Sequence, residues 1–177
     1  GSSTNSAAGP TDAQRVAAAT TTADNNPNCA ASVLGPFYWE VGDSDGVRVA
    51  GTVGVAAPAA TTMMSIASAS KWLYSSYVVE RVGVRSSDVP FLNFTSGYSM
   101  FGTPLCPSDV TVEGFLVGRD GRDPGTIGKF FYDSGHMQHH AAFVMNLGSF
   151  DNAALTAELG RTLGNFGFIY TQPQLAG

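Results

Sequence analysis

Only two stretches of this chain have strand character, Pro36–Val41 and Val47–Val55. The Gly42-Asp43-Ser44-Asp45-Gly46 segment between them reads as a hairpin loop. The other periodic segments read as helices. Asp12 to about Ala23 is one, capped by Thr11 or Asp12, with Ala13, Val16, Ala17 and Ala19 on its apolar side. Ser68–Val82 is a second, stopped by Gly83. Ser108–Val117, with Ser108 as N-cap, Ser134–Leu147, and Asn152–Leu163, with Asn152 as cap, complete the set. Asn25-Asn26-Pro27-Asn28 breaks the chain, Gly118–Gly128 is a loop, and Asn165–Gly177 is an extended tail. The predicted class is therefore α+β: a helical region with part of an antiparallel sheet. A hairpin alone is marginally stable, so two strands are fewer than such a region needs.

The chain has 177 residues, enough to bury one core. Charged residues make up 13% and hydrophobic ones 44%, which excludes a disordered acidic tail. No apolar run approaches the roughly 18 residues of a membrane span. Net charge is −5 and the nine basic residues are scattered singly, which argues against a nucleic-acid surface. The two cysteines, Cys29 and Cys106, are too few for a disulfide scaffold or a zinc knuckle. They form either one long-range bridge in an oxidising compartment or two buried thiols. Residues 1–10 are small and polar and read as a mobile segment, either a processed secretory start or a cloning remnant. The Ala/Thr/Ser/Gly richness and the scarcity of lysine fit a secreted or periplasmic setting.

The sharpest local pattern is Ser68-Ala69-Ser70-Lys71. Residues i and i+3 share a helix face. A serine in the first turn has unsatisfied backbone N–H groups and the positive dipole end beside its oxygen, which eases formation of an alkoxide. A lysine held against it and partly desolvated can take the serine proton. The chemistry implied is acyl transfer through a serine ester. The alternative is an N-cap serine with a solvated lysine. Lys71 is one of only two lysines, the other being Lys129.

Several further segments stand in a fixed order around this pattern. Met64-Ser65-Ile66-Ala67 leads into Ser68. Phe91-Leu92-Asn93-Phe94-Thr95-Ser96-Gly97 follows, then Pro124-Gly125-Thr126 and Phe131-Tyr132-Asp133-Ser134-Gly135, then Leu159–Gly164 and Tyr170–Gly177. From about Pro36 onward this order resembles the serine β-lactamase and penicillin-recognising hydrolase family, particularly its class C and esterase-like branch. The resemblance implies that residues 11–177 are the N-terminal part of a β-lactamase-like domain lacking its C-terminal strands and last helix. It also implies that Ser68 is the nucleophile and Lys71 its proton acceptor or relay. Tyr132 would be the tyrosine that shuttles protons between Ser68 and the leaving group. Such a phenol needs its pKa lowered by a cationic neighbour, which Lys71 can supply. Ser134 stands where the family commonly has an asparagine that binds substrate. A hydroxyl is shorter than an amide, which puts substrate affinity in doubt.

The family's later strand, which supplies a Lys/His-Thr/Ser-Gly motif and the second oxyanion-hole N–H, has no counterpart in this sequence. The expected function is therefore a serine hydrolase cleaving an ester or amide (β-lactam, peptide or carboxylic ester) through acyl-Ser68, without cofactor or metal. Full activity would need a complementary C-terminal segment. The rival is a non-catalytic fragment or pseudoenzyme serving as a binding or assembly module. The expected partners are a small-molecule ester or amide and that C-terminal chain, with no nucleic acid and no membrane span. His136, His139 and His140 lie at i, i+3 and i+4, so metal binding and site-adjacent or surface histidines are both open, although no cysteine or carboxylate stands at clear ligand spacing. Phe91, Phe94, Tyr98 and Phe101 read as core or cleft wall.

Overall fold

A computed structural model describes residues 9–101 and 111–164. The chain divides into two compact units, Gly1–Ser65 and Ile66–Gly177. In the first, helix α1 spans Asp12–Asn25. It starts where Thr11 is extended. The Thr11 hydroxyl accepts from the Gln14 N–H at 3.3 Å, and the Gln14 side chain accepts the Thr11 N–H at 2.8 Å. This reciprocal capping box satisfies two otherwise unpaired donors. After a 3-10 turn at Pro27–Cys29 and a short helix α2, Ala31–Leu34, the chain turns at Gly35 with φ +78°.

Strands β1, Phe37–Asp43, and β2, Gly46–Val53, then pair antiparallel, with Phe37 opposite Val53 and Trp39 opposite Gly51. The Trp39 ring lies 3.0 Å from where a Cβ on Gly51 would stand, so only glycine fits beneath the indole. The strands run further into the expected loop than the sequence suggests, leaving only Ser44 and Asp45 between them. A register irregularity at Val41/Gly42 absorbs the extra residue. Helix α1 packs on the hairpin. Among the described residues of this unit only Ala23 is fully buried, and Val33, Leu34, Val41, Val47 and Val55 are exposed. Cys29 is half-buried and has no disulfide partner among the described residues. Cys106, its expected partner, lies outside them.

The second unit is helical. A 3-10 turn at Ala67–Ala69 leads into α3, Ser70–Val82, which ends at Gly83 with φ +74°. Helices α4, Val89–Leu92, and α5, Gly135–His139, pack together. Helix α5 continues into a π turn, His140–Val144. Helix α6, Asn152–Leu163, packs on α3. Tyr77, Val78, Phe101, Val112, Phe115, Leu116, Ala141, Ala142, Met145, Leu147 and Leu155 form the buried core.

Three expectations are corrected here. The described part of Ser108–Val117 is only a 3-10 turn, Gly114–Leu116. Its leading N–H groups are diverted, Val112 to the Phe150 carbonyl and Glu113 to the Gly148 carbonyl, both at 2.9 Å. Residues 108–110, including Ser108, lie outside the described residues, as do residues 1–8 and the tail 165–177. The cap of α6 is Asp151 rather than Asn152, because Asp151 has the extended backbone a cap needs and accepts the Ala154 N–H at 2.8 Å. Ser134–Leu147 is not one α-helix. It starts at Gly135 and widens after His139, with the Met145 N–H reaching the His140 carbonyl at 2.9 Å. No helix among the described residues is long and apolar enough to cross a membrane.

Candidate active site

Ser68 lies in the 3-10 turn that opens α3, where backbone N–H groups lack intrahelical acceptors. Lys71 follows in the first turn of α3. Its Nζ donates to Ser68 Oγ at 3.3 Å. The nearer rival in sequence, Ser70, makes no such bond among the described residues. Ala67, immediately before Ser68, has φ +42°, a left-handed conformation that L side chains rarely adopt.

Tyr132 comes from the segment before α5. That segment is tied back by its own backbone: the Phe131 N–H donates to the Phe94 carbonyl at 3.0 Å and the Gly128 N–H to the Thr95 carbonyl at 2.9 Å. Phe94 is also left-handed, at φ +63°, and its ring packs on Tyr132 with centroids 5.1 Å apart. Four described non-glycine residues adopt positive φ, and two of them, Ala67 and Phe94, adjoin this constellation. The third member, Lys71, has its ammonium 5.2 Å from the Tyr132 ring centroid. The Tyr132 phenol is held below its ordinary value, first by the nearby Ser68 hydroxyl and, more weakly, by Lys71; burial opposes them with an effect second in size to that of Ser68. The serine hydroxyl thus accepts from Lys71, whose ammonium also stands over the Tyr132 ring.

Ser134, the N-cap residue of α5, stands two positions beyond Tyr132. Among the described residues no hydrogen bond joins its hydroxyl to Ser68, Lys71 or Tyr132, and it makes no side-chain cap bond. Ser68, Lys71 and Tyr132 are brought together; Ser134 is beside them in sequence but not bonded to them.

Of the site-adjacent and surface readings left open for the histidines, the surface one does not hold for His136 and His140, which are completely buried; His139 is partly buried. His136 Nε2 lies 2.9 Å from the Phe131 carbonyl, which can only accept, so this nitrogen carries the proton. Its Nδ1 accepts from the Ser96 hydroxyl at 2.7 Å. Burial keeps the ring neutral by pushing its pKa down. His136 therefore fixes the carbonyl next to Tyr132. His140 Nε2 donates to Asp88 at 3.2 Å and its Nδ1 lies 2.8 Å from the Tyr74 hydroxyl. Asp88 is 1% exposed and is also held by Arg85 through two bonds of 2.6 and 2.9 Å. Tyr74 is one turn beyond Lys71 on α3, so this network joins the nucleophile helix to the one that follows Tyr132. His139 bonds Asp120 at 2.7 Å and stacks on Tyr98 with centroids 3.6 Å apart. Among the described residues no group of three or more His, Cys, Asp or Glu could hold a metal ion.

Sequence reasoning missed Asp88, Arg85, Tyr74 and Ser96. The one available signal was a histidine pair at i, i+4 on an apolar helix, which requires buried partners. No protein-family model, curated protein or solved structure matches the chain. The β-lactamase resemblance accordingly rests on the sequence motifs alone.

Proposed function

We propose that this chain is a β-lactamase-like serine hydrolase that cleaves an ester or amide through an acyl-Ser68 intermediate. One observation carries the reading: the Lys71 ammonium donates to the Ser68 hydroxyl and stands over the ring of Tyr132, a phenol whose pKa is lowered. In its phenolate form Tyr132 takes the Ser68 proton while Oγ bonds to the acyl carbon. As the tetrahedral adduct collapses, the carbon–leaving-group bond breaks and the leaving atom departs with the electron pair, receiving that proton from Tyr132. Water then repeats the sequence on the ester and frees Ser68. The Lys71 charge stabilises the phenolate and the alkoxide throughout. The backbone N–H of Ser68 supplies one oxyanion donor. A second donor comes from a further strand in the family that the chain resembles. Losing one such donor typically costs about 100- to 1,000-fold in rate. A secreted or periplasmic setting fits the composition.

The second reading, a non-catalytic binding or assembly module, is favoured by Ser134, whose hydroxyl is not bonded to the other three residues. A fluorophosphonate probe separates the two. The expected result is stoichiometric labelling of Ser68, seen by intact mass and peptide mapping and absent in Ser68→Ala. Labelling that persists in Ser68→Ala, or that maps to Ser65 or Ser70, refutes the assignment. No labelling of a demonstrably folded sample favours the binding module.

A further inference from the structure

Tyr132 does not stand alone. Its ring packs on Phe94, and Phe94 in turn meets Phe130 edge to face, with centroids 5.8 Å apart. Tyr132 is 54% and Phe130 69% exposed. The three rings form a continuous aromatic ledge that begins at Tyr132, over whose ring the Lys71 ammonium stands. It is kept in place at a local cost, because Phe94 holds a left-handed backbone at its centre. Its outer end is the Phe130 ring, and exposed contiguous apolar surface next to polar groups is characteristic of ligand sites.

The chemistry of Tyr132 decides which half of a substrate lies there. The oxygen that receives the Ser68 proton must return it to the leaving atom, so the leaving group sits over Tyr132 and the acyl group on the other side of Ser68. We infer that the Tyr132–Phe94–Phe130 ledge is a leaving-group subsite, and that the substrates are esters of apolar alcohols, or the corresponding amides, rather than compounds with a small or charged leaving group. This inference rests on the acyl-serine reading. It adds the side of the scissile bond on which selectivity resides.

Ethyl acetate and octyl acetate test it, because both leave the same acetyl group on Ser68 and differ only in the alcohol. The rate of acetyl-Ser68 formation is followed by mass, with ethyl octanoate as the acyl-side control. Octyl acetate should acylate at least about tenfold faster than ethyl acetate, since several methylenes leave water on the ledge. Phe130→Ala should lower the octyl-to-ethyl ratio roughly fivefold or more, and Phe130→Leu should keep most of it. Phe130 is exposed, so both variants should fold, and circular dichroism checks this. A ratio near one, a ratio that Phe130→Ala leaves intact, or a preference that follows the octanoyl chain overturns the subsite while leaving acyl-Ser68 chemistry standing. No acetyl-Ser68 from either acetate and no octanoyl-Ser68 from ethyl octanoate overturns both.

Discussion

Asp88→Ala should be among the most damaging single changes in the second unit, and the size of the loss can be worked from its contacts. The carboxylate is buried and takes two bonds from Arg85 and one from His140. Burial alone would raise its pKa; the Arg85 bonds, then His140, hold it below the usual carboxylate range. Removing one member of a buried, charged pair typically costs about 3–5 kcal/mol. The Arg85 side chain is 40% exposed and can rehydrate, so its share must be discounted for screening. His140 is completely buried, and its Nε2–H is left without an acceptor, which costs about 1–3 kcal/mol. The expected loss is therefore about 2–4 kcal/mol. Asp88→Asn, which keeps an acceptor for His140 but not the charge facing Arg85, should fall between the two. The assay is urea unfolding in a Trp39→Phe background, so that Trp72 on α3 reports alone, with the free-energy change taken from the midpoint at fixed slope. A loss below about 1 kcal/mol for Asp88→Ala would show that the network does not hold α3 to the helix that carries His140.

Stability should fall as pH drops from 7.5 to 5. Burial depresses the pKa of both His136 and His140 in the folded state, so the unfolded chain binds more protons once pH passes below the ordinary histidine value of about 6.5. Their stabilising contribution is complete above that value and lost below it, at most about 1.4 kcal/mol per pH unit for each ring; a flat urea midpoint over this range refutes the argument. Gly135→Ala should destabilise by about 1–3 kcal/mol and slow Ser68 labelling, because its Cβ would stand 2.7 Å from the Tyr98 carbonyl oxygen and 3.1 Å from Phe101 Cβ, so the start of α5 must shift. An unchanged melting temperature counts against that packing. Lys71→Met should raise the pKa of Tyr132 by removing the cation beside its ring. In an absorbance titration, the tyrosine signal that Tyr132→Phe abolishes should move to higher pH, and one that stays in place contradicts the electrostatic account.

The parts legible in the sequence were those set by neighbours along the chain. Thr11, one of two candidate caps, does start α1, and Gly83 announces the end of α3. The spacing of Ser68 and Lys71 brings their polar atoms together even though the serine sits in a 3-10 rather than an α turn. What the sequence hid depends on residues far apart. Nothing near Val112 reveals that Phe150 and Gly148 take the N–H bonds a helix there would use. Nothing near His140 names Asp88, 52 positions away, as its acceptor. Tyr132 was legible only through the order of motifs, since its approach to Ser68 depends on Phe94 and Phe131 meeting through their backbones.

The boundary between the two units falls between Ser65 and Ile66, just ahead of Ser68. The connection before it is exposed from Ala59 to Ser65, and Met63 and Met64 present large side chains to solvent. Such a stretch is a natural target for limited proteolysis. A single cut there would strip the hairpin and α1 from the chain yet leave Ser68, Lys71, Tyr132 and Ser134 on one fragment, with Ser68 a few residues from a new amino terminus. The candidate site and the two-stranded sheet are thus carried by separate stretches of chain that a single peptide bond can divide.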